Sequence, residues 1–140
     1  MTPEAKALEK IRNVLINDQT LADMGMSSKT VYASHISSIT EPVFPCISLF
    51  LLSSRIMYPL DEIVQVRVQL DAWFTSERFT TVNILECLER IRSLLHRKDL
   101  TDTVIGMISY SSIQALNGPL LYEEDTQLFH LPSIYEMVVK

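Results

Sequence analysis

The sequence predicts an α+β fold, in which a mainly antiparallel β-sheet carries a long β-hairpin and two packed α-helices. Two observations lead to this prediction. Apolar residues recur at helical spacing over residues 3–16 and again over residues 78–97. Residues 62–75 instead alternate between apolar and polar side chains, which is the pattern of a strand with one buried face. The predicted order of elements is α-β-β-β-α-β-β.

The chain has 140 residues, the size of one ordinary domain, so we expect a single domain over residues 1–140. Apolar residues make up 47% and charged residues 21%, a balance that argues against intrinsic disorder. The mean hydropathy of +0.16 is high for a chain of this length. Either nearly all of the apolar residues lie in the core, or some of them contact a partner.

The first helix is predicted to begin at Pro3, which suits a first turn, with Thr2 as its N-cap, and to end near Ile16. Residues 18–45 are less regular. They could add one helical turn closed by Gly25 and a very short strand at residues 31–33.

Residues 46–57 and 62–75 predict the two strands of the hairpin, joined by a turn at residues 58–61. The second helix is predicted over residues 78–97, with a core-facing stripe formed by Val82, Leu85, Leu88, Ile91 and Leu95.

Two more strands are expected after this helix. Residues 103–116 predict a strand bulged at Gly106, and residues 120–123 extend or rejoin it. Residues 127–139 predict the last strand, in which Pro132 marks a bulge or an edge position.

Composition and motifs argue against several classes of function. No apolar run approaches the roughly 18 residues that a membrane-spanning helix needs, and the charged, amphipathic start is not a secretory signal. The net charge of −5 argues against nucleic-acid binding, and no glycine-rich phosphate-binding motif occurs. Cys46 and Cys87 do not form a disulfide framework.

The sequence indicates no catalytic, cofactor-binding or metal site. His35, His96 and His130 are not at metal-ligand spacing, and the two cysteines resemble small core residues. Serine pairs occur without a nucleophile motif around them. We therefore expect a protein that is not an enzyme.

The hairpin tip is unusually apolar for a turn. The tip either folds back over its own sheet or docks on another subunit, where Met, Tyr and Arg are favoured. We infer an interface with another subunit or assembly partner from these residues and one aromatic residue farther along the strand: Arg55, Ile56, Met57, Tyr58, Leu60, Asp61 and Trp73.

A cluster of acidic residues at Glu123, Glu124 and Asp125 is a second candidate contact surface. It is either solvated loop charge or a surface for a basic partner.

The chain resembles the tail terminator, or tail completion, proteins of long-tailed bacteriophages. The resemblance rests on the segments IRNVLINDQTLADM and VYAS, then PCISLFLL, VQVRVQLDAWFTS and TVNILECLERIRSLLHR. It implies a structural virion protein that forms a ring, commonly a hexamer, on the last ring of the tail tube. Such a ring ends tube polymerisation and provides the surface for head-tail joining.

The partners that the resemblance implies are further copies of the chain, the tail tube protein and a head-closure or other neck protein. DNA would pass through the ring without sequence-specific binding. The resemblance implies assembly in the cytoplasm of the host bacterium, no membrane, no cofactor and no catalytic residue. Two alternatives stay open: another phage neck component, such as a head-closure or adaptor protein, and a small enzyme with a dispersed active site.

Overall fold

The computed structural model describes residues 1–60 and 62–140, and Asp61 lies outside the described residues. The helices are α1 (Pro3–Ile16), α2 (Gln19–Asp23) and α3 (Thr81–Leu95), with a 3-10 turn at Ile36–Ser38. The strands are β1 (Val31–Tyr32), β2 (Cys46–Met57), β3 (Leu60–Thr75), β4 (Ser109–Asn117), β5 (Leu121–Glu123) and β6 (Leu128–Val139).

The described strands form one sheet in the order β1-β2-β3-β6-β4, and β5 pairs with β6 beyond the end of β4. The pairing of β1 with β2 is parallel, and the other pairings are antiparallel. The predicted α+β fold with a mainly antiparallel sheet and a long β2–β3 hairpin is therefore confirmed. The short helix α2 corresponds to the extra helical turn, which Gly25 closes with a φ of 97°.

The core lies between the sheet and the two long helices, all on one face of the sheet. Every second residue of β3 from Val64 to Phe74 points towards the helices and is buried. Helix α1 contributes Ala7, Ile11 and Leu15 to the same core. Burying these side chains stabilises the fold by roughly 1.5–3 kcal/mol for each large one.

Helix α3 differs from its prediction in its start and in its buried face. It begins at Thr81 because Thr80 and Asn83 form a capping box, in which each side chain accepts from the other's backbone N–H. Its buried residues are Ile84, Cys87, Ile91 and Leu95. The predicted stripe was therefore partly wrong, since Val82 and Leu85 are exposed.

The predicted strand over residues 103–116 begins later than expected, at Ser109. Residues 102–107 instead form a tight turn, closed by two backbone hydrogen bonds between Asp102 and Met107. Gly106 has a φ of 68° in this turn, where glycine is tolerated best, so it is a turn residue rather than a bulge. The bulges of β4 lie at the register shifts between Ser109 and Ser111 and between Gln114 and Leu116.

Pro132 marks neither a bulge nor an edge in β6, since the β3–β6 register runs through it without a shift. The interruption lies in the partner strands, because β4 ends opposite Ser133 and β5 begins opposite His130. The Gly118 N–H donates to the Pro132 carbonyl at 2.8 Å in this gap. A strand interior therefore tolerates the proline because its missing N–H faces a break in the neighbouring strand.

Candidate assembly surfaces

The β2–β3 hairpin exposes apolar side chains at the tip that the sequence singled out. Tyr58 is 91% exposed, and the other members of this hairpin patch are Leu51, Leu52, Ile56 and Leu60. Arg55 is exposed beside them and Met57 is half-buried. The tip therefore does not fold back over its own sheet. The remaining predicted tip residue, Asp61, lies outside the described residues.

The outer backbone edge of β2 is open for most of its length. β1 covers it only opposite Ile47 and Ser48, and the Ile47 N–H donates to the Thr30 carbonyl at 2.9 Å. From residue 49 to residue 57, the hydrogen bonds among the described residues leave the outer edge free except at Ile56, whose carbonyl accepts from the Tyr58 N–H at 3.2 Å. An unpaired apolar edge is a surface on which another chain can add a strand.

Along β4, the opposite edge of the sheet is covered by the chain itself. The Ser109 N–H donates to the Thr101 hydroxyl at 3.0 Å. The Ser112 carbonyl accepts from the Arg97 N–H at 2.7 Å, and the Gln114 N–H donates to His96 Nδ1 at 2.9 Å. Residues 96–101 thus cap β4, and the two long edges of the sheet are not equivalent.

His96 has a structural role in this cap. Burial lowers the pKa of His96, and the charges of Arg92 and Arg97 lower it further. The imidazole therefore remains neutral near pH 7, so Nδ1 keeps the lone pair that accepts from Gln114.

A second group of exposed apolar residues lies at the β4 and β5 edge of the sheet, where the sequence indicated none. The members of this far-edge patch are Tyr110, Ile113, Leu116, Leu121 and Tyr122. The excess apolar character of the chain is thus divided between two opposite edges of one sheet. Bulk hydropathy could indicate that an excess exists, but it could not locate this second patch.

Trp73 lies on the sheet face that the helices leave bare, and only 8% of it is exposed. Its indole stacks on His130 with ring centroids 3.8 Å apart. Its cover therefore includes a side chain of its own sheet. Membership of Trp73 in an interface stays a prediction.

The bare sheet face holds a row of polar groups that are only partly satisfied. The Gln69 amide donates to Asp71 Oδ1 at 2.9 Å, and the same oxygen lies 3.5 Å from His130 Nε2. Among the described residues, the buried side-chain atoms without a hydrogen-bond partner on this face are Ser48 Oγ, Arg67 Nε, Trp73 Nε1, Thr75 Oγ1 and His130 Nε2. Two of these atoms lie near carboxylate oxygens of the same sheet, since Arg67 Nε is 3.7 Å from Glu136 Oε2 and His130 Nε2 faces Asp71.

The acidic residues Glu123, Glu124 and Asp125 are exposed at the turn between β5 and β6. The Thr126 hydroxyl donates to Glu123 Oε2 at 3.1 Å. The three carboxylates lie next to Leu121 and Tyr122, so the acidic turn adjoins the far-edge patch.

The cysteines and His35 lie in structural surroundings. Cys46 and Cys87 are buried, and burial raises the pKa of each thiol to about 12, which disfavours the reactive thiolate. His35 stacks on Phe50 with ring centroids 3.8 Å apart. Across the described residues, no group of three His, Cys, Asp or Glu side chains could hold a metal ion.

Within the described part of the chain, no helix is long and apolar enough to cross a membrane. The sequence matches no protein-family model and no curated protein.

Proposed function

We propose that this chain is a structural virion protein that forms a ring, commonly a hexamer, at the head-proximal end of a phage tail tube. The ring would end tube polymerisation and provide the surface for head-tail joining. The observation that supports this proposal best is the hairpin patch beside the open edge of β2. Neither feature is needed for the core, which lies on the helix side of the sheet.

The distribution of surface features favours assembly over catalysis. Each subunit of a ring contacts two neighbours through two different surfaces. The hairpin patch and the far-edge patch lie on opposite edges of the sheet, as a subunit with two neighbours requires. The α+β fold and the hairpin bounds agree with the element order on which the resemblance to tail terminators rests.

Two lateral interfaces would cover a substantial fraction of the surface of so small a chain. A specific interface buries about 800 Å² per partner, so two lateral interfaces would cover about 1,600 Å² of each subunit. The exposed surface of the chain is 7691 Å². About a fifth of it would be covered, which is consistent with the high mean hydropathy.

Growth of tail tubes in the presence of the purified chain tests the proposal. The tail tube protein of the same virus is polymerised with and without the chain, and tube lengths and tube ends are measured by negative-stain microscopy. We expect shorter tubes that carry a ring at one end. Tubes of unchanged length with bare ends would contradict the proposal, and binding to DNA-filled heads alone would favour a head-closure or adaptor protein.

Two matched variants connect this result to the hairpin. Tyr58 is 91% exposed and Val104 is 93% exposed, but only Tyr58 belongs to the hairpin patch. Tyr58→Asp is expected to abolish ring formation and tube arrest, whereas Val104→Asp should leave both unchanged. Equal effects of the two substitutions would show that general surface hydrophobicity, rather than the hairpin, drives assembly.

A further inference from the structure

The two exposed apolar patches determine how copies of the chain can associate. In a two-fold contact, both copies use the same surface, so one of the two patches would stay exposed on each copy. A head-to-tail contact places the hairpin patch of one copy against the far-edge patch of the next and covers both. The positions of the patches on opposite edges of the sheet therefore favour the head-to-tail arrangement.

Backbone pairing narrows the contact to particular strands. On β2, the register shift after Leu51 leaves a straight run over residues 53–56. Its outward backbone groups are free except for the Ile56 carbonyl, which accepts from the Tyr58 N–H. On the far edge, β4 is capped by residues 96–101 and offers few free groups. β5 pairs with β6 on one side only, and no described residue hydrogen-bonds to the other side. β5 is therefore the strand of the far edge that can add to a neighbouring sheet.

Opposite charges on β2 and at the end of β5 also favour this pairing. Arg55 is the single charged residue of β2, and no described carboxylate lies within ion-pair distance of it. Glu62 of the same hairpin is already bound to Lys140 Nζ at 2.7 Å. The carboxylates of Glu123 and Glu124 extend from the end of β5 into solvent. A strand added to residues 53–56 would bring an acidic end close to Arg55.

We propose that the open edge of β2 takes β5 of a second copy of this chain as an added strand, with Arg55 of one copy facing Glu123 and Glu124 of the next. This inference rests on the self-assembly in the proposed function, but not on its role at a tail tube. One such contact is small. Repetition around a closed ring makes the assembly stable, because each subunit is then held on two sides.

Charge reversal tests the contact in the purified full-length chain. Arg55→Glu is expected to raise the dissociation constant of self-association at least tenfold, measured by sedimentation over a range of concentrations. The pair Glu123→Lys and Glu124→Lys should have a similar effect, because either change places like charges together. All three substitutions in one chain should restore self-association to within about threefold of the original.

Controls use exposed charges away from both patches. Lys29→Glu makes the same charge change as Arg55→Glu, and Glu86→Lys makes the same charge change as Glu123→Lys alone. Both are expected to leave self-association unchanged. Hydrogen exchange gives a second readout, since the amides of residues 53–56 that face away from β3, and those of β5 that face away from β6, should be protected only in the assembled state. Circular dichroism identifies any variant that does not fold. In that case, hydrogen exchange of the unsubstituted chain still tests the contact.

Three results would overturn the inference. A chain that stays monomeric at all concentrations excludes the contact, and so does a triple variant that remains dissociated. Protection of β2 without protection of β5 would indicate that two β2 strands pair with each other. If Arg55→Glu still arrests tube growth, the proposed function remains but this contact is excluded. If rings form through the Arg55 contact but do not arrest tubes, the contact remains but the proposed function is excluded.

Discussion

The indole ring of Trp73 lies flat on the imidazole ring of His130, with the two ring planes within 2° of parallel. The two residues are directly opposite each other on β3 and β6. Their contact closes the bare face of the sheet at the end away from the hairpin tip. The pair thus shields a large aromatic side chain from water where the structure supplies no helix to cover it.

Replacing His130 tests how much this stacking contributes. His130→Ala is expected to lower the free energy of unfolding by about 1 kcal/mol, because Trp73 loses its stacking partner. His130→Phe keeps a flat ring and should cost less than half as much. Urea unfolding followed by fluorescence measures both, since Trp73 is the single tryptophan of the chain. Equal losses for the two variants would mean that stacking is not what stabilises this position.

Charged substitutions in the hairpin should separate assembly from folding. Leu60 is exposed, so Leu60→Asp is expected to change the free energy of unfolding by less than about 0.5 kcal/mol. The same change should weaken self-association strongly, because it places a carboxylate in an apolar contact. Met57→Asp is expected to behave similarly, although Met57 is half-buried. Thermal unfolding and sedimentation measure the two effects, and an unfolded Met57→Asp monomer would assign this segment to the core.

The ion pair between Asp18 and Arg90 should make stability depend on pH in the acid range. Hydrogen bonding to Arg90 lowers the pKa of Asp18 below its usual value of 3.8. Because the folded pKa is the lower one, the pair stabilises the fold fully above the unfolded pKa. This contribution is lost as the pH falls below about 4 and through the folded pKa.

Two substitutions at Asp18 separate its roles, because this side chain also caps α2 by accepting from the Leu21 N–H at 3.0 Å. Asp18→Asn keeps a capping oxygen but loses the ion pair, whereas Asp18→Ala loses both and is expected to cost about 1 kcal/mol more. Urea unfolding between pH 2 and pH 7 should show a shallower acid-range slope for both variants than for the original chain. An unchanged slope would mean that other carboxylates determine the acid response.

Gly118 should be intolerant of any side chain. A Cβ at this position would lie 2.7 Å from the Pro132 carbonyl oxygen and 2.8 Å from Pro132 Cγ. Gly118→Ala is therefore expected to destabilise the fold by about 1–3 kcal/mol. Adding Pro132→Ala should recover part of this loss by removing the ring contact, but not the clash with the backbone oxygen.

Gly106→Ala provides the comparison for Gly118. Gly106 has open space around it, with the nearest atom, Lys6 Nζ, at 3.9 Å, but a φ of 68° that alanine adopts poorly. Gly106→Ala is expected to lower the free energy of unfolding by about 1 kcal/mol. This loss should be the same when Pro132→Ala is also present, because the two sites are independent. Thermal unfolding of the five variants, with Pro132→Ala alone included, measures the coupling.

The parts of the fold that were predictable are those with a local, periodic signal. The hairpin strands were predictable because the alternation in β3 continues over many residues, and α1 was predictable because Thr2 and Pro3 mark its start. The start of β4 was not predictable, since residues 103–108 have the composition of a strand. Only the long-range pairing of Lys140 with Ile108 and the turn at Gly106 determine where that strand begins.

The candidate surfaces were predictable to different degrees. The apolar tip was visible in the sequence because turns are seldom apolar, and its exposure follows from its place at the end of a hairpin. The far-edge patch was not visible, because Tyr110 and Leu116 belong to a strand that could have been central. Edge position depends on the strand order of the sheet, and a single sequence does not encode that order locally.

The extra residue at Leu52 has a consequence for solubility. It divides the free edge of β2 into two short straight runs, offset from each other by one residue. A long foreign strand cannot pair along both runs at once, so newly made chains are protected from stacking into fibrils before they meet their proper neighbour. Deleting Leu52 would straighten the edge, and we expect the resulting protein to precipitate during expression even though its core is untouched.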